Sequence, residues 1–442
     1  MTTGKLMSIV FPFFACILAA GQQPAARRLS LKDAIDLALN NNLSVLVAGT
    51  QVGEAAGTRE RALSKLLPHA SGDALATLQN RNLQVAGLSF PGLPVVVGPF
   101  AFYDFRAFGS QSVVDRQAYH GWKATVQQEQ AAKLSYQDVR DLIVRSSAGL
   151  YLNSEFSAAE VQVAQTRVET SETLEKLARD QRAQGMATGI DVVRAQVQLA
   201  RDHQSLLVAQ NAFQTSLLEL ARFLGLAPGM PLELAEHLQF HPMNPPELGA
   251  ALPAALEIRA DYRALTAQRK ALAEEQKASR ARYLPKFLLS GDYGAIGRSF
   301  GTMPGIGEIQ GTLSITLFDR DRKGEDQELE NRLRRVDAQR NDLARGIEEE
   351  LRKAVLDLQS TAEQVKVTEA ALDLAGRELE LAHDRFRNGV ADNVEVVTAQ
   401  DALGRAQDDR LGALARHADA RMALVRALGG GEANYQTYLS GP

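Results

Sequence analysis

The feature that most constrains this fold is a heptad pattern in a long segment without proline. No proline occurs between Arg320 and Asn388, and a helix of that length would extend roughly 100 Å at 1.5 Å per residue. Large apolar residues recur at every seventh position, and smaller residues such as Ala354 and Ala382 follow three places later. A seven-residue repeat predicts coiled-coil packing, and small partners allow close approach. The large apolar positions are Leu351, Leu358, Val365, Leu372, Leu379 and Phe386.

The chain also contains two copies of one unit. Residues 31–68 align with residues 248–285 without a gap, at an offset of 217. Residues 185–196 align with residues 389–400 at an offset of 204. The first copy therefore carries a longer loop between these two blocks, and a repeated supersecondary unit is indicated. The expected divisions are a first repeat over 22–247, a second repeat over 248–429 and a C-terminal tail over 430–442.

In each copy a helical segment, 31–66 or 248–283, stops at a proline, which cannot donate the next helical hydrogen bond. A β-hairpin is expected next, at about 69–114 and 286–318. In the second hairpin Phe287 alternates with polar neighbours, and the return strand continues the alternation from Ile309 to Leu317. Strands that are polar on one face and apolar on the other are typical of a membrane β-barrel wall.

An ordinary antiparallel sheet with one solvated face would show the same alternation. However, four strands that are separated by long helices would leave unpaired sheet edges in water. Closure by oligomerisation removes those edges, so the pattern favours the barrel.

The first residues predict export. A short charged start, an apolar run from Leu6 to Ala20 and the small residues before Gln22 are typical of a signal peptide, which we place at residues 1–21. Cys16 is the only cysteine and lies in that run, so a disulfide is not expected. The alternative interpretation makes Cys16 the lipid-anchored first residue of a lipoprotein.

Composition and motifs argue against nucleic-acid binding and catalysis. The formal net charge is -4 and the pI is about 6.1, so no strong basic field is expected. His237 and His241 are four residues apart but lie in a proline-rich connector without a zinc motif. No set of nucleophile, base and orienting residue is recognisable. We therefore expect no enzyme, no cofactor and no metal site.

Glycines mark the far ends of two helical hairpins. Gly185 and Gly389 interrupt the helical pattern, and an acid, Asp191 or Glu395, follows near the start of the next helix. Glycine favours helix C-termini, and an acid near a helix N-terminus is stabilised by the helix dipole. These turns are predicted to be hairpin tips that lie far from the strands.

These residues resemble the TolC-like outer-membrane efflux protein family over essentially the whole mature chain. The paired tip motif at 185–196 and 389–400 and the strand-to-helix junction Leu317-Phe318-Asp319 carry the resemblance. It implies a mainly α fold with a small transmembrane β part: a homotrimer with a 12-stranded β-barrel in the outer-membrane lipid, continued by a periplasmic α-barrel. The implied partners are a periplasmic adaptor and an inner-membrane pump, and the implied function is a passive exit duct for efflux or type I secretion.

The resemblance also implies a gated periplasmic aperture. Glu395 matches an acid that narrows the entrance, and Asp191 matches an acid that helps to hold the closed state, although a simple helix-terminal role remains open for both. Phe386 replaces a tyrosine partner, and Thr398 replaces a second aperture acid. The candidate residues for adaptor contact at the tips are Gly185, Gly189, Gly389, Ala391 and Asp392.

The competing interpretation is a periplasmic coiled-coil adaptor or scaffold, since long helical hairpins occur there too. An adaptor carries one hairpin, whereas this chain duplicates its hairpin, so the duct is favoured. The cargo stays open among drugs, metals and polypeptides.

Overall fold

The computed structural model of the chain describes residues 27–88, 91–92 and 94–439. The predicted signal peptide and Cys16 lie outside the described residues. Two very long helices, α3 (Arg116–Ala183) and α7 (Asp321–Arg387), dominate the architecture. The other helices are α1 (Leu31–Asn41), α2 (Leu43–Ser64), α4 (Gly189–Phe223), α5 (Leu248–Ile258), α6 (Ala260–Ala281), α8 (Asn393–Leu428) and α9 (Gly431–Leu439).

Two antiparallel hairpins join side by side into one four-stranded sheet. Their strands are β2 (His69–Asn82), β3 (Val96–Val114), β5 (Lys286–Gly297) and β6 (Gly305–Ser314), in the order β2-β3-β5-β6. The central contact therefore pairs a strand of the first repeat with a strand of the second. Within the described protomer, β2 and β6 each keep one side without a partner strand.

The strand register confirms the predicted two-faced pattern. Asp73 of β2 lies opposite Arg106 of β3. Phe108, two residues along β3 and therefore on the same face as Arg106, lies opposite Asp292 of β5. The charged residues Asp73, Arg106 and Asp292 thus share one face of the sheet. On the other face Gly109 lies opposite Gly291, which in turn pairs with Ile309. One face is therefore rich in polar groups and the other is apolar across all four strands.

The return strand of the second hairpin is shorter than the sequence predicted. Strand β6 ends at Ser314, which pairs with Lys286, the first residue of β5. Pro285 precedes Lys286 and cannot donate a ladder hydrogen bond. Residues 315–318 consequently have no neighbour on β5 to pair with, and the predicted end of the hairpin at 318 is wrong by four residues.

The predicted continuous helices at 31–66 and 248–283 are each broken once. At Asn42 the backbone is extended and the side-chain oxygen accepts from the Ser44 N–H at 2.9 Å, which starts α2. Arg259 breaks the second pair at the equivalent position, 217 residues later. Each break abuts a glycine at the end of a returning helix, Gly225 in the first repeat and Gly429 in the second. The break is therefore a shared feature of the repeat rather than a local irregularity.

A buried ion cluster fixes the break in the second repeat. The Arg259 side chain is 2% exposed, donates to both carboxylate oxygens of Asp261 at 2.6 and 3.1 Å, and donates to Glu350 at 2.5 Å. Arg426 adds a bond to Asp138 at 2.7 Å. Because a buried guanidinium is costly without partners, this cluster ties the helix break to α7, α8 and α3 at one level.

The coiled-coil prediction is confirmed along α7. Five of the six heptad positions are buried, and Leu372 is half-buried. Below the sheet the helices form a row in which α3 packs against α2 and α6, and α6 packs against α7. Towards the tips the row becomes α4-α3-α8-α7. Long helices packed in rows place the hairpin tips far from the strands.

A small parallel sheet, which the sequence pattern did not predict, joins the start of the first repeat to the connector that leads into the second. Strand β1 (Arg27–Leu29) pairs with β4 (Leu232–Leu234), which lies in the connector between the repeats. The Tyr151 hydroxyl donates to the Leu29 carbonyl at 3.0 Å and anchors this sheet on α3. Strands of three residues are too short to show a period of two. Among the helices of the described part of the chain, none combines the length and the hydrophobicity that a membrane-spanning helix needs.

Candidate functional site: the two hairpin tips

The two tips are built by the same turn. Gly185 and Gly389 have φ values of +75° and +68°, a region that residues with a Cβ adopt with difficulty. The N–H of Met186 bonds to the Gln181 carbonyl, and the N–H of Val390 bonds to the Arg385 carbonyl, both at 2.9 Å. These are the bonds of a Schellman C-cap, so the prediction that both glycines end a helix is confirmed.

Asp191 closes the start of its own helix. Its carboxylate accepts from the Thr188 hydroxyl at 2.6 Å and from the Thr188 N–H at 2.8 Å, which is a capping box. The side chain is nearly buried, and the pKa of Asp191 is lowered, chiefly by the Thr188 hydroxyl. Both of these hydrogen bonds are local, so within one protomer the carboxylate acts as a helix cap.

Glu395 occupies the equivalent position of α8 but is more accessible. Its carboxylate lies 3.3 Å from Arg385 Nε, and 42% of its side chain is exposed. The N-cap of α8 is Asp392, whose Oδ1 accepts from the N–H groups of Val394 and Glu395 at 3.1 and 3.4 Å. Because Asp392 caps α8, the Glu395 carboxylate is not needed as a helix cap and can interact with groups outside the backbone.

Phe386 is a core residue. It is 3% exposed and packs with Leu174, Val192 and Val396 in a cluster that joins both hairpins just above the tips. Thr398 is exposed and donates to the Val394 carbonyl at 2.8 Å, whereas Ala391 is half-buried and Gly189 is the first residue of α4. The structure therefore brings Phe386 into packing and leaves Glu395, Asp392 and Thr398 accessible.

Two buried amides fasten one tip to the other. Asn393 is fully buried, and its Nδ2 donates to the Asp191 carbonyl at 2.8 Å. Gln181 is 4% exposed, and its Nε2 donates to the Phe386 carbonyl at 3.0 Å. Because each amide reaches a backbone carbonyl of the other hairpin, these bonds resist displacement of one tip past the other.

Comparisons with known proteins show which proteins share this sequence pattern and architecture. Residues 251–430 match the family model described as outer membrane efflux protein. The chain is 23% identical to the pyoverdine export outer membrane protein OpmQ of Pseudomonas putida, over 68% of this chain and 64% of that protein. It is also 23% identical to the toluene efflux pump outer membrane protein TtgF of Pseudomonas putida, over 91% of this chain and 83% of that protein. The solved structure of the outer membrane protein VceC from Vibrio cholerae superimposes with a TM-score of 0.79 at 21% identity, covering 90% of this chain and 96% of that one.

The chain thus resembles outer membrane efflux proteins, and its second repeat matches the model of that family.

A second set of contacts ties the hairpins together farther from the tips. Arg167 of α3 donates to the Gly404 carbonyl and to Asp408 of α8, both at 2.6 Å. One helical turn closer to the tip, Gln400 donates to the Ser171 hydroxyl at 2.7 Å, and that hydroxyl donates to Asp202. The side chains of Ser171, Gln400 and Asp202 are buried, whereas Arg167 and Asp408 are not. The buried residues form a polar layer that specifies how α8 packs on α3 and α4.

Sequence reasoning missed these residues, although the repeat carried a signal for two of them. At the offset of 204, Ser171 corresponds to Ala375 and Asp202 to Ala406, and both alanines are buried. A polar residue in one copy where the other copy buries alanine marks a position with its own partner. Asn393 corresponds to Gly189, which is exposed, so the two copies differ there in both residue type and burial.

The two histidines of the connector lie beside a cavity, together with the carboxyl group of Glu155. Burial and the nearby Glu236 raise the pKa of Glu155 to about 7. In the described ranges, no group of three or more His, Cys, Asp or Glu side chains is arranged to hold a metal ion.

Proposed function

We propose that three copies of this chain form the exit duct of a tripartite efflux pump, a passive channel from the periplasm through the outer membrane. The proposal rests on one observation. Within the described residues, two edges of the protomer, which run from the sheet to the tips, have no partner strand or helix on their outer side. One edge belongs to the first repeat and the other to the second. The duct is assigned to the outer membrane, with its long helices in the periplasm.

The edges are continuous along the molecule. On one side the edge runs from β2 to α2 and then, nearer the tips, to α4, and on the other side β6 leads directly into α7. An unpaired strand edge exposes hydrogen-bonding groups that need a partner. When identical subunits bind through two different surfaces, they form a closed ring if the rotation from one subunit to the next adds up to a full turn. Three protomers with four strands each would then give a 12-stranded barrel.

Apolar side chains line the same two edges where the helices lie. Val367, Leu374 and Leu381 are seven residues apart on α7 and are 67%, 64% and 65% exposed. Val193 and Val197 of α4 are 56% and 46% exposed. A heptad stripe that finds no partner inside the protomer is suited to another helix. We assign the α7 stripe to α4 of the next copy.

The periplasmic aperture is assigned to the tips of the six hairpins. Glu395, Asp392 and Thr398 are the accessible polar groups there, and Glu395 is proposed as the acid that narrows the entrance and attracts cations. Asp191 is proposed to act through its carbonyl, which receives the Asn393 amide, rather than through its carboxylate. The turns at Gly185 and Gly389, with Gly189 and Ala391 beside them, are proposed to contact a periplasmic adaptor that links the duct to an inner-membrane pump.

Relatives that are named for efflux and export favour an efflux pump over type I secretion. The adaptor alternative is not favoured, because family and structural relatives are outer-membrane proteins.

Fractionation and electrophoresis test the proposal. The protein is expected in the outer membrane and, without heating, as a compact trimer band that converts to a monomer band on heating. A water-soluble single chain would contradict it. In planar bilayers the Glu395→Gln variant should lose cation selectivity, whereas Glu349→Gln, an exposed acid of α7 far from the tips, should not. Equal effects of both variants would remove Glu395 from the aperture.

A further inference from the structure

The four junctions between the sheet and the helices share a pattern that the duct function does not explain. Strands β2 and β5 begin, and strands β3 and β6 end, at the same edge of the sheet. Each junction exposes a large apolar residue, with exposed fractions of 50%, 47%, 42% and 84%. In every case a cation lies two residues farther from the strand. The pairs are Leu67 with Lys65, Val114 with Arg116, Leu284 with Arg282, and Phe318 with Arg320.

The junctions lie where a bilayer boundary is expected. Strand β5 has 12 residues, or about 40 Å at about 3.4 Å per residue, and tilted by about 45° it covers the roughly 25 Å apolar band of a barrel wall. Beside the opposite end of β5, Tyr103 and Phe105 of β3 pack against Phe300 with ring centroids 4.6 and 5.9 Å apart. Such aromatic groups mark one membrane interface, so the junctions mark the other.

Three of the four junction cations are available for a ligand. Arg282 is held by Asp319 at 3.0 Å and by Glu325 at 2.9 Å, so it joins α6 to α7. Lys65, Arg116 and Arg320 are exposed, and none of them forms an ion pair with another residue of the described part of the chain. A cationic side chain placed just outside an apolar ring can reach the headgroup layer with its charged end while its stem covers apolar surface.

Aromatic residues reinforce this level on α3. Tyr119 is 41% exposed, and Lys123 Nζ lies 4.7 Å from the centre of its ring. Trp122, the only tryptophan of the chain, lies 6.0 Å from Tyr119. Tyrosine and tryptophan concentrate where apolar chains meet headgroups, and basic residues there attract anionic lipid.

We propose that Lys65, Arg116 and Arg320 form a basic collar that binds acidic phospholipid headgroups of the inner leaflet of the outer membrane. This inference rests on the proposed function, because it needs the sheet to span the membrane. In a trimer the collar carries three copies of each cation around the barrel. The collar binds the phosphate of the lipid by charge and the acyl boundary by the neighbouring apolar side chains.

Energy transfer from Trp122 to a labelled lipid tests the proposal. The trimer is placed in nanodiscs of phosphatidylcholine with a trace of dansyl-phosphatidylglycerol or dansyl-phosphatidylcholine, and energy transfer from Trp122 to the dansyl group is measured. Transfer to the phosphatidylglycerol probe should exceed transfer to the phosphatidylcholine probe, with an enrichment of about fivefold for each cation that contacts a headgroup. The preference should vanish in roughly 1 M salt, where the Debye length falls to about 3 Å.

The test variant is Lys65→Gln, Arg116→Gln, Arg320→Gln. Its matched control is Arg201→Gln, Arg345→Gln, Lys353→Gln, which removes the same charge from exposed positions on α4 and α7. The collar variant should lose the preference, and the control should keep it. Equal transfer to both probes in the unmodified protein, or equal loss in both variants, would overturn the collar while leaving the duct intact. Absence of transfer to either probe would instead contradict the membrane-spanning sheet.

Discussion

The apolar stripe on α7 provides the most direct test of how the protomers assemble. Leu374 and Leu381 are 64% and 65% exposed in the protomer, so their replacement by alanine removes little that the isolated chain buries. Each change deletes three carbon groups, worth about 0.8 kcal/mol apiece when fully buried. Because only about two thirds of that surface remains to be buried on assembly, each site contributes roughly 1.5 kcal/mol at most.

The effect is multiplied by symmetry. Two sites in each of three equivalent interfaces give about 9 kcal/mol per trimer, which corresponds to about six orders of magnitude in the dissociation constant. The double variant Leu374→Ala, Leu381→Ala should therefore dissociate in detergent at concentrations where the unmodified trimer persists. Its helix content by circular dichroism should be unchanged, since both side chains point away from the protomer core.

Unheated electrophoresis and sedimentation velocity in detergent measure this shift. Leu88→Ala is the matched control, because it is the same substitution at an exposed leucine, 46% exposed, in the loop between β2 and β3 and away from the helical edges. If the double variant dissociates at the same temperature and concentration as the control, the stripe does not face a neighbouring protomer. The edge-to-edge assembly would then be refuted.

Three further substitutions test the interior. Phe386→Ala should lower the unfolding free energy by about 3–5 kcal/mol in chemical denaturation, because its ring is 3% exposed in the cluster that joins the hairpins; a cost below about 1 kcal/mol would show that the ring is not packed there. Arg259→Met should cost about 3–5 kcal/mol, since it leaves Asp261 and Glu350 without their shared cation, and a neutral result in a thermal melt would contradict the cluster. Glu155→Gln should change the pH dependence of stability. The folded protein holds the pKa of Glu155 at about 7, above its usual 4.5, so the protonated form stabilises the fold at low pH and that contribution, roughly 3 kcal/mol at about 1.4 kcal/mol per pKa unit, is lost as pH rises from 4.5 to 7. The variant should melt at a temperature that varies less with pH across that window, and an unaltered profile would exclude Glu155 as the titrating group.

The sequence determined the local elements and their order. Heptad spacing, alternation and proline stops depend on neighbours within one helical turn or one strand, so they predicted the long helix α7, the two-faced strands and the tips at Gly185 and Gly389. The repeat offsets predicted that both halves would be built alike. Where a boundary depends on a distant partner strand, as at the end of β6 at Ser314, the predicted element is too long.

Only the tertiary structure decided which surfaces meet. Pairing of β3 with β5 joins residues of different repeats, and no local pattern specifies which strand edges remain free. The bonds from Asn393 to the Asp191 carbonyl and from Gln181 to the Phe386 carbonyl span more than 200 residues of chain, and backbone carbonyls carry no sequence signature. Long-range hydrogen bonds depend on how helices are seated against each other, and that seating is settled by packing of the whole fold rather than by any one segment.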